Sequence, residues 1–184
     1  GDVYKRQGRT QMQDAVPIRL GQEFKAYSVA IMRDIHRMDK AMDEMRTLNM
    51  GGTAIGTGIN ADEGYLRRIV PNLTEISGMD FIQAFDLIDS TQNLDPFVAV
   101  SGAVKACAVT LSKMSNDLRL MSSGPRTGFG EINLPAKQNG SSIMPGKVNP
   151  VIPEVVNQVA FNIIGNDVTI TCLLYTSDAA DDTP

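Results

Sequence analysis

Helical periodicity in two long stretches restricts the fold of this chain more than any other feature of its sequence. In the first stretch, apolar residues recur at steps of three and four: Leu20, Phe24, Tyr27, Ile31, Ile35, Met38, Met42 and Met45. The second stretch repeats this spacing: Phe97, Val100, Val104, Cys107, Leu111, Met114, Leu118 and Met121. Such spacing places one apolar stripe on each helix. A helix over residues 20–47 would be roughly 40 Å long, at ~1.5 Å per residue.

Capping signals predict a shorter helix between the two long ones. Gly51-Gly52 is expected to end the first long helix. Asn60 and Glu63 have the spacing of an N-cap residue and its reciprocal partner, and Gly78 is expected to close the helix that they begin. Pro71 lies within this helical pattern, so a kink or an early break is expected there.

Proline and glycine mark the limits of the two remaining helices. Asp95 is expected to cap the second long helix, with Pro96 at its first helical position, and Gly124-Pro125 should end it. A last helix should follow Asn149-Pro150, with Pro153 tolerated in its first turn. Its apolar residues cover a wide face: Val151, Ile152, Val155, Val156, Val159, Ile163 and Ile164. In a chain this short, we expect other subunits to bury part of that face.

The predicted fold class is all-α, with long antiparallel helices in a bundle, because no convincing alternating strand appears in the central segment. A net charge of −4 without a basic stripe argues against a nucleic-acid partner. No apolar run approaches the ~18–20 residues that a membrane span needs. Cys107 and Cys172 form no CxxC pair, so a reducing cytoplasm is expected. With a single histidine, a His/Cys metal cluster is close to excluded.

The two ends of the chain do not match the patterns beside them. Residues 1–7 (GDVYKRQ) and 172–184 (CLLYTSDAADDTP) resemble translated adapter sequence, and two ordinary flexible tails are the alternative. The sequence therefore predicts one central helical domain fragment over residues 8–171, incomplete at both ends, between two non-native tails.

The segment GSSIMPGKVNP, at residues 140–150, carries the clearest chemical signal. It contains two glycines, two hydroxyls, a cation and an amide before a predicted helix: Gly140, Gly146, Ser141, Ser142, Lys147 and Asn149. Backbone N–H groups and the positive end of that helix favour an anion. Lys147 would add about 4 kcal/mol at ~4 Å if the effective dielectric constant is ~20. The pattern indicates a carboxylate or phosphate receptor; a glycine-rich linker before an ordinary capped helix is the alternative.

This eleven-residue string resembles the signature of the fumarase/aspartase superfamily. A second block, GRTQMQDAVPIRLGQEF at 8–24, is similar to another substrate-binding segment of that family, which continues into a long core helix. Three shorter blocks also resemble family sequence: GGTAIGTGIN at 51–60, NDLRLMSSGPR at 116–126 and GND at 165–167. The resemblance covers nearly all of residues 8–171 but well under half of a full family chain. It implies part of the central helical bundle of a homotetramer.

Roles for several residues follow from this resemblance. It implies that Ser141 is a general base that removes a proton from the carbon beside a carboxylate, and that Ser142 donates toward the charge that develops there. Thr10, Lys147 and Asn149 would hold the substrate's other carboxylate. The loop would have to close over the substrate to depress the pKa of the serine. The resemblance implies no catalytic metal or cofactor, and it leaves open a non-catalytic activation by a divalent metal, as in some family members.

Gln11 and Glu154 distinguish the members of the family. Fumarate hydratases have a histidine at the position of Gln11, and it pairs with a glutamate at the position of Glu154 to handle a water. Glutamine cannot shuttle a proton, so the resemblance favours reversible elimination of ammonia from L-aspartate to give fumarate. Fumarate hydratase or another superfamily lyase remains an alternative, as does a non-catalytic helical-bundle homologue.

The resemblance also implies how the site is assembled. Active sites of the family lie where several subunits meet, with Thr10-Gln11 from one chain and residues 141–149 from another. A further substrate-binding segment would lie N-terminal to these residues. We therefore expect the 184 residues alone to have no lyase activity.

Overall fold

Three long helices dominate the computed structural model, which describes residues 6–140 and 142–178, with side chains as far as Cys172. In chain order the elements are β1 (Arg6–Thr10), β2 (Gln13–Ile18), α1 (Leu20–Glu44), β3 (Thr47–Leu48), α2 (Glu63–Ser77), β4 (Ile82–Gln83), α3 (Asp89–Gln92), α4 (Asp95–Met121) and α5 (Val151–Asp178). The predicted helical fold class is confirmed. The predicted limits of the native segment, residues 8 and 171, stay predictions. Strand β1 begins at Arg6, before the first limit, and α5 continues past the second.

The helices α1, α4 and α5 pack side by side in antiparallel order. Between α4 and α5, Ser101 contacts Asp167, whereas Asn116, further along α4, contacts Asn157, which is earlier in α5. Between α1 and α4, Tyr27 near the start of α1 bonds to Asp117 near the end of α4 at 2.8 Å. At the other end, Met45, Leu94 and Phe97 line one cavity. This arrangement agrees with the antiparallel bundle predicted from periodicity.

The boundaries of α2 differ from the prediction at its start and agree at its end. The N-cap residue is Asp62, whose carboxylate accepts from the Tyr65 N–H at 3.1 Å. Asn60 has a φ of 60° and lies outside the extended region that an N-cap residue occupies. Gly78 closes the helix with a φ of 70°, as predicted. The early break expected at Pro71 is wrong: the helix continues through this exposed residue, where water can bond the freed carbonyl.

The long helices begin close to their predicted positions. The N-cap residue of α4 is Leu94 rather than Asp95, so Pro96 occupies the second helical position and not the first, still within the first turn. The last helix starts at Val151, directly after Asn149-Pro150, with Pro153 in its first turn.

A β-hairpin at the start of the described chain contradicts the expectation that strands are absent. Strands β1 and β2 pair antiparallel, with a register shift between Gly8 and Arg9. The two turn residues, Gln11 and Met12, have φ values of 50° and 63°, the combination of a two-residue type I′ turn. The sequence hides this turn because neither position is glycine or asparagine, the usual signal. A two-residue parallel pair, β3 with β4, is the other departure from an all-helical chain.

Helix α4 is an exception to the expectation that no segment matches a membrane span. By length and composition alone, this helix is long and apolar enough to cross a membrane, with a mean hydropathy of 1.4 over 18 residues. Its basic residues nevertheless form ion pairs. Lys105 and Arg119 pair with acidic residues of α5, and Lys113 pairs with Asp117 within α4. Those contacts are typical of a bundle helix, which passes the same test.

The core within the described chain consists mainly of small residues. The buried apolar side chains are Ala41, Val70, Ala103, Ala108, Met121 and Ala160, and no large side chain among the described residues is fully buried. Large apolar residues on all three long helices are instead exposed, including Met32 at 61%, Val109 at 53% and Phe161 at 62%. Exposed apolar faces on this scale are surfaces that another segment or chain could cover.

Candidate functional site

The hairpin places two of the predicted site residues at its tip. Thr10 is the last residue of β1 and pairs with Gln13, so Gln11 lies in the turn between them. Both Thr10 and Gln11 are exposed. Because both turn residues adopt left-handed backbone conformations, the Gln11 side chain projects from a turn whose geometry the strand pairing fixes.

Charged contacts fix the hairpin to the connection that follows α4 and to α1. The two terminal nitrogens of Arg9 donate to the two carboxylate oxygens of Glu131, one of them at 3.2 Å. The Arg9 guanidinium also lies over the Phe129 ring, 4.3 Å from its centroid. Arg6 donates to Glu131 and, at 2.6 Å, to Glu23 of α1. The Arg9 hydrogen bond, followed by that of Arg6, lowers the pKa of Glu131 against the opposing effect of burial.

The second group of predicted residues lies in the signature loop, residues 140–149. Ser141 lies outside the described residues. Its neighbour Ser142 is exposed. The loop doubles back on itself, because a Cβ added to Gly140 would meet the carbonyl oxygen of Lys147 at 3.0 Å. Gly146 has a φ of 81°, and the Lys147 N–H donates to the Met144 carbonyl at 3.1 Å. The two ends of a short glycine-flanked turn therefore meet.

Asn149 and Glu154 lie at the junction between this loop and α5. The Asn149 carbonyl accepts from the Val151 N–H at 2.9 Å, and α5 begins there. Lys147 and Asn149 are both exposed beside this helix N-terminus, which has the polarity that attracts a carboxylate. One turn further on, Glu154 lies 3.6 Å from the guanidinium of Arg119 on α4. Glu154 thus has a cationic partner within this chain.

The described chain does not join the two groups of predicted residues. No hydrogen bond or ion pair connects Thr10 or Gln11 with Ser142, Lys147 or Asn149 in residues 6–140 and 142–178. All five side chains are exposed. Proton removal from a weak carbon acid needs prearranged donors in a site that excludes water. The hairpin tip and the signature loop can each contribute residues to such a site. In this structure both segments are exposed to solvent.

Sequence reasoning missed the residues that hold these segments in place. Arg9 and Glu131 are separated by more than a hundred positions, so no local spacing could reveal their contact. The buried polar residues Asn157 and Asp167, which bond α5 to α4, were likewise not singled out individually. A polar residue at an otherwise apolar helical position was the available signal. Within the described residues, no group of three His, Cys, Asp or Glu side chains could hold a metal ion.

Comparison with known proteins identifies the family. A family model described as a lyase matches residues 2–165, which is most of the chain. The chain belongs to this lyase family. The predicted resemblance to the fumarase/aspartase superfamily is thereby confirmed. The match includes both the hairpin and the signature loop, so the segments that carry the predicted site residues are family segments.

Individual lyases resemble this chain closely over part of their length. It is 56% identical over 172 residues to the aspartate ammonia-lyase of Bacillus subtilis (strain 168), a match that covers 94% of this chain and 36% of the relative. The chain thus spans little more than a third of that relative's length.

Solved structures of lyases share the fold described above. The cobalt-bound crystal structure of fumarate lyase:delta crystallin from Brucella melitensis matches with a TM-score of 0.89 and 51% identity, over 94% of this chain and 38% of that one. A recombinant class II fumarase from Schistosoma mansoni matches with a TM-score of 0.86 and 35% identity, over 91% of this chain and 38% of the fumarase. The lyase backbone is therefore similar across relatives whose names differ in the reaction.

Proposed function

We propose that this lyase segment belongs to an aspartate ammonia-lyase, which reversibly eliminates ammonia from L-aspartate to give fumarate. The observation that carries the proposal is the 56% identity to the Bacillus subtilis enzyme of that name, against 35% to a class II fumarase. Because the segment spans 36% of the Bacillus subtilis relative, we expect the carbon–nitrogen lyase activity to need the complete protein and the segment alone to be inactive.

The proposed reaction breaks the C3–H and C2–N bonds of aspartate and forms an O–H bond on Ser141 and the C2–C3 double bond. Ser141 takes the proton from C3 of aspartate, and the electron pair moves into the adjacent carboxylate as an aci-carboxylate dianion, toward which Ser142 donates. The pair then returns to form the C2–C3 double bond while the C2–N bond breaks and ammonia leaves. A positioned general base contributes about 10²–10⁴ in rate. Donors aimed at the dianion contribute a further factor of about 10²–10³ each.

Lys147, Asn149 and Thr10 are proposed to hold the other carboxylate of the substrate. In the part of the chain that the structure describes, Lys147 forms no ion pair, so its charge can meet a ligand. Asn149 lies two residues before α5, and the partial positive charge at the N-terminus of that helix adds to the charge of the lysine. Thr10 at the hairpin tip would supply a hydroxyl from a second segment.

Gln11 supports ammonia elimination over hydration. An amide can hold a leaving amino group by hydrogen bonds but cannot deliver or accept a proton. Glu154, whose partner in the hydratases is a histidine, pairs with Arg119 in this chain. Fumarate hydratase is the second candidate, since the Schistosoma mansoni class II fumarase shares the backbone with a TM-score of 0.86.

The exposed apolar faces support the proposal of a homotetramer, and the cytoplasm is proposed as its compartment. On α5 alone, Val155, Val159 and Val168 are 52%, 52% and 64% exposed, and no other element of the described chain covers them. Burying such faces against identical helices of further copies would stabilise each of them by ~25 cal/mol per Å². It would also bring the hairpin tip of one copy to the signature loop of another. No cofactor is proposed. Activation by a divalent metal is tested in the chimera assay described next.

A chimera tests the proposed reaction. Residues 8–171 of this chain replace the matching residues of the Bacillus subtilis relative, and fumarate absorbance is followed with L-aspartate and then with L-malate. We expect fumarate from aspartate at least ~100-fold faster than from malate, because the proton-transfer partner of the hydratases is replaced by Gln11. The measurement is repeated with and without magnesium.

A reciprocal chimera controls for bias from the Bacillus subtilis frame. The same residues are placed in the Schistosoma mansoni class II fumarase. We expect malate dehydration to be lost and to return in part with Gln11→His. Malate conversion at the speed of the unmodified fumarase, with Gln11 in place, would instead favour the hydratase.

A further inference from the structure

We propose that Arg9 and Glu131 are positioning residues, which hold the hairpin tip so that Thr10 and Gln11 meet the substrate carboxylate and amino group. The inference rests on the proposed function for its catalytic readout, and on the contacts of this chain for its mechanism. Neither residue is proposed to touch substrate.

The Arg9–Glu131 contact has the geometry of a specific clamp. Both terminal nitrogens of the guanidinium meet both oxygens of the carboxylate, a two-pronged arrangement that restricts orientation as well as distance. Phe129 covers one face of the guanidinium at 4.3 Å. The side chains of Arg9 and Glu131 are each 21% exposed. A contact this sheltered is less screened than a surface ion pair.

The backbone of Glu131 is held against the end of α4 independently of its contact with the hairpin. Its N–H donates to the Met121 carbonyl at the end of α4, at 2.8 Å. The preceding residues fold back in the same way, since the Gly130 N–H donates to the Ser123 carbonyl at 2.9 Å. The carboxylate therefore projects from backbone that is bonded to a long helix, as a positioning group requires.

The clamp acts at the position in the hairpin where displacement would matter most. Arg9 directly precedes Thr10, and the strand register shifts between Gly8 and Arg9. Strand pairing is weak at such an irregularity, so it alone does not fix the last residues of β1. A displacement of about 1 Å at a substrate-binding group can cost ~10² in rate. Releasing Arg9 should therefore affect catalysis more than it affects folding.

The test uses the Bacillus subtilis chimera with Glu131→Gln, Arg9→Lys and the exchanged pair Arg9→Glu/Glu131→Arg. The matched control is Glu63→Gln, which removes an exposed ion pair to Arg67 at 2.8 Å on α2. For each variant, kcat and KM for L-aspartate are measured per folded tetramer. Hydrogen exchange of the peptide that contains residues 8–18 is measured in parallel.

We expect Glu131→Gln to raise KM about tenfold and lower kcat/KM by ~10–100-fold, with faster exchange in residues 8–18 and an unchanged tetramer fraction. Arg9→Lys should be intermediate because lysine cannot form the two-pronged contact. The exchanged pair restores opposite charges at positions 9 and 131 but places Arg6, which also donates to Glu131, beside a second cation, so it should recover only a small part of the loss. Glu63→Gln should match the parent chimera.

Two results would overturn the inference. One is a Glu131→Gln chimera whose KM, kcat and hairpin exchange equal those of the parent. The other is a loss of activity that follows only the loss of folded tetramer, with KM unchanged. An inactive parent chimera would count against the proposed function, and hairpin exchange would then decide the clamp by itself.

Discussion

The seam between α4 and α5 and the segments that carry the predicted site residues are built in opposite ways. In the seam, polar side chains are buried and bonded to one another. Asn157, 4% exposed, accepts from the Ser112 hydroxyl and donates to Asn116, both at 2.9 Å. Asp167, 6% exposed, accepts from Ser101 at 2.7 Å and from Lys105. These bonds fix the relative position of the two helices along their length.

The hairpin tip and the signature loop show the reverse. Thr10, Gln11, Ser142, Lys147 and Asn149 are exposed, and no bond joins one segment to the other within the described residues. Groups that must bind a substrate cannot use their hydrogen-bonding capacity on each other. The difference teaches that this chain holds its scaffold by internal contacts, whereas the two segments that carry the predicted site residues are exposed and unconnected to each other within the described residues.

The largest effect is expected where the signature loop loses its charge. Lys147→Met in the Bacillus subtilis chimera keeps the length of the side chain and removes the cation. We expect kcat/KM for L-aspartate to fall by ~10² or more, while the thermal midpoint stays within a few degrees of the parent, because the side chain is exposed and forms no ion pair in the described chain. Lys137→Met is the matched control, an exposed lysine earlier in the same connection. Equal losses in both variants would count against a specific role.

A change in the seam should do the opposite, lowering stability and sparing turnover. Asn157→Ala leaves Ser112 and Asn116 without their partner, which should cost about 1–3 kcal/mol of unfolding free energy. The thermal midpoint of the chimera should fall, with kcat per folded tetramer unchanged. Asn166→Ala is the control, because Asn166 is exposed and its side chain donates to Asn162, one turn away on the same helix. A midpoint equal to that of the control would show that the seam is not a source of stability.

The smallest expected effect is a pH dependence at Asp167. The Lys105 hydrogen bond, followed by that of Ser101, lowers the pKa of Asp167 below its ordinary value of 3.8. Since the folded pKa is depressed, the stabilisation is fully present above the unfolded value and is lost as pH falls through the folded one. The thermal midpoint of Asp167→Asn should therefore lie below that of the parent at pH 7, and the gap should narrow below about pH 4. A gap that stays constant to pH 3 would contradict this assignment.

The long helices could be predicted because periodicity is a local property of the sequence. The starts of α4 and α5 were predicted to within one residue, whereas α1 ends at Glu44, well before Gly51-Gly52. At the start of α2, Asn60 and Asp62 are both competent caps, and only the backbone conformation selects between them. The hairpin was missed because its turn uses Gln11 and Met12 in left-handed conformations without a glycine.

The sequence predicted which residues belong to the candidate site. It did not predict which contacts hold those residues in place. Lys147 and Asn149 stand beside a helix N-terminus, as their spacing predicted. The clamp between Arg9 and Glu131 depends on how distant segments meet, which no local pattern encodes. The roles of Ser141, Thr10 and Gln11 stay predictions, and Ser141 lies outside the described residues.

The central claim is that this chain contributes the hairpin tip to one active site and the signature loop to another. Complementation tests it most directly: chimeras carrying Ser141→Ala and Thr10→Val, each expected to lose ~10² or more of its activity, are co-expressed with different tags, and mixed tetramers are purified. If the two segments come from different copies in a symmetric tetramer, mixed assemblies should recover about a quarter of the parent activity. Activity in mixed tetramers no higher than the mean of the two single variants would contradict the account.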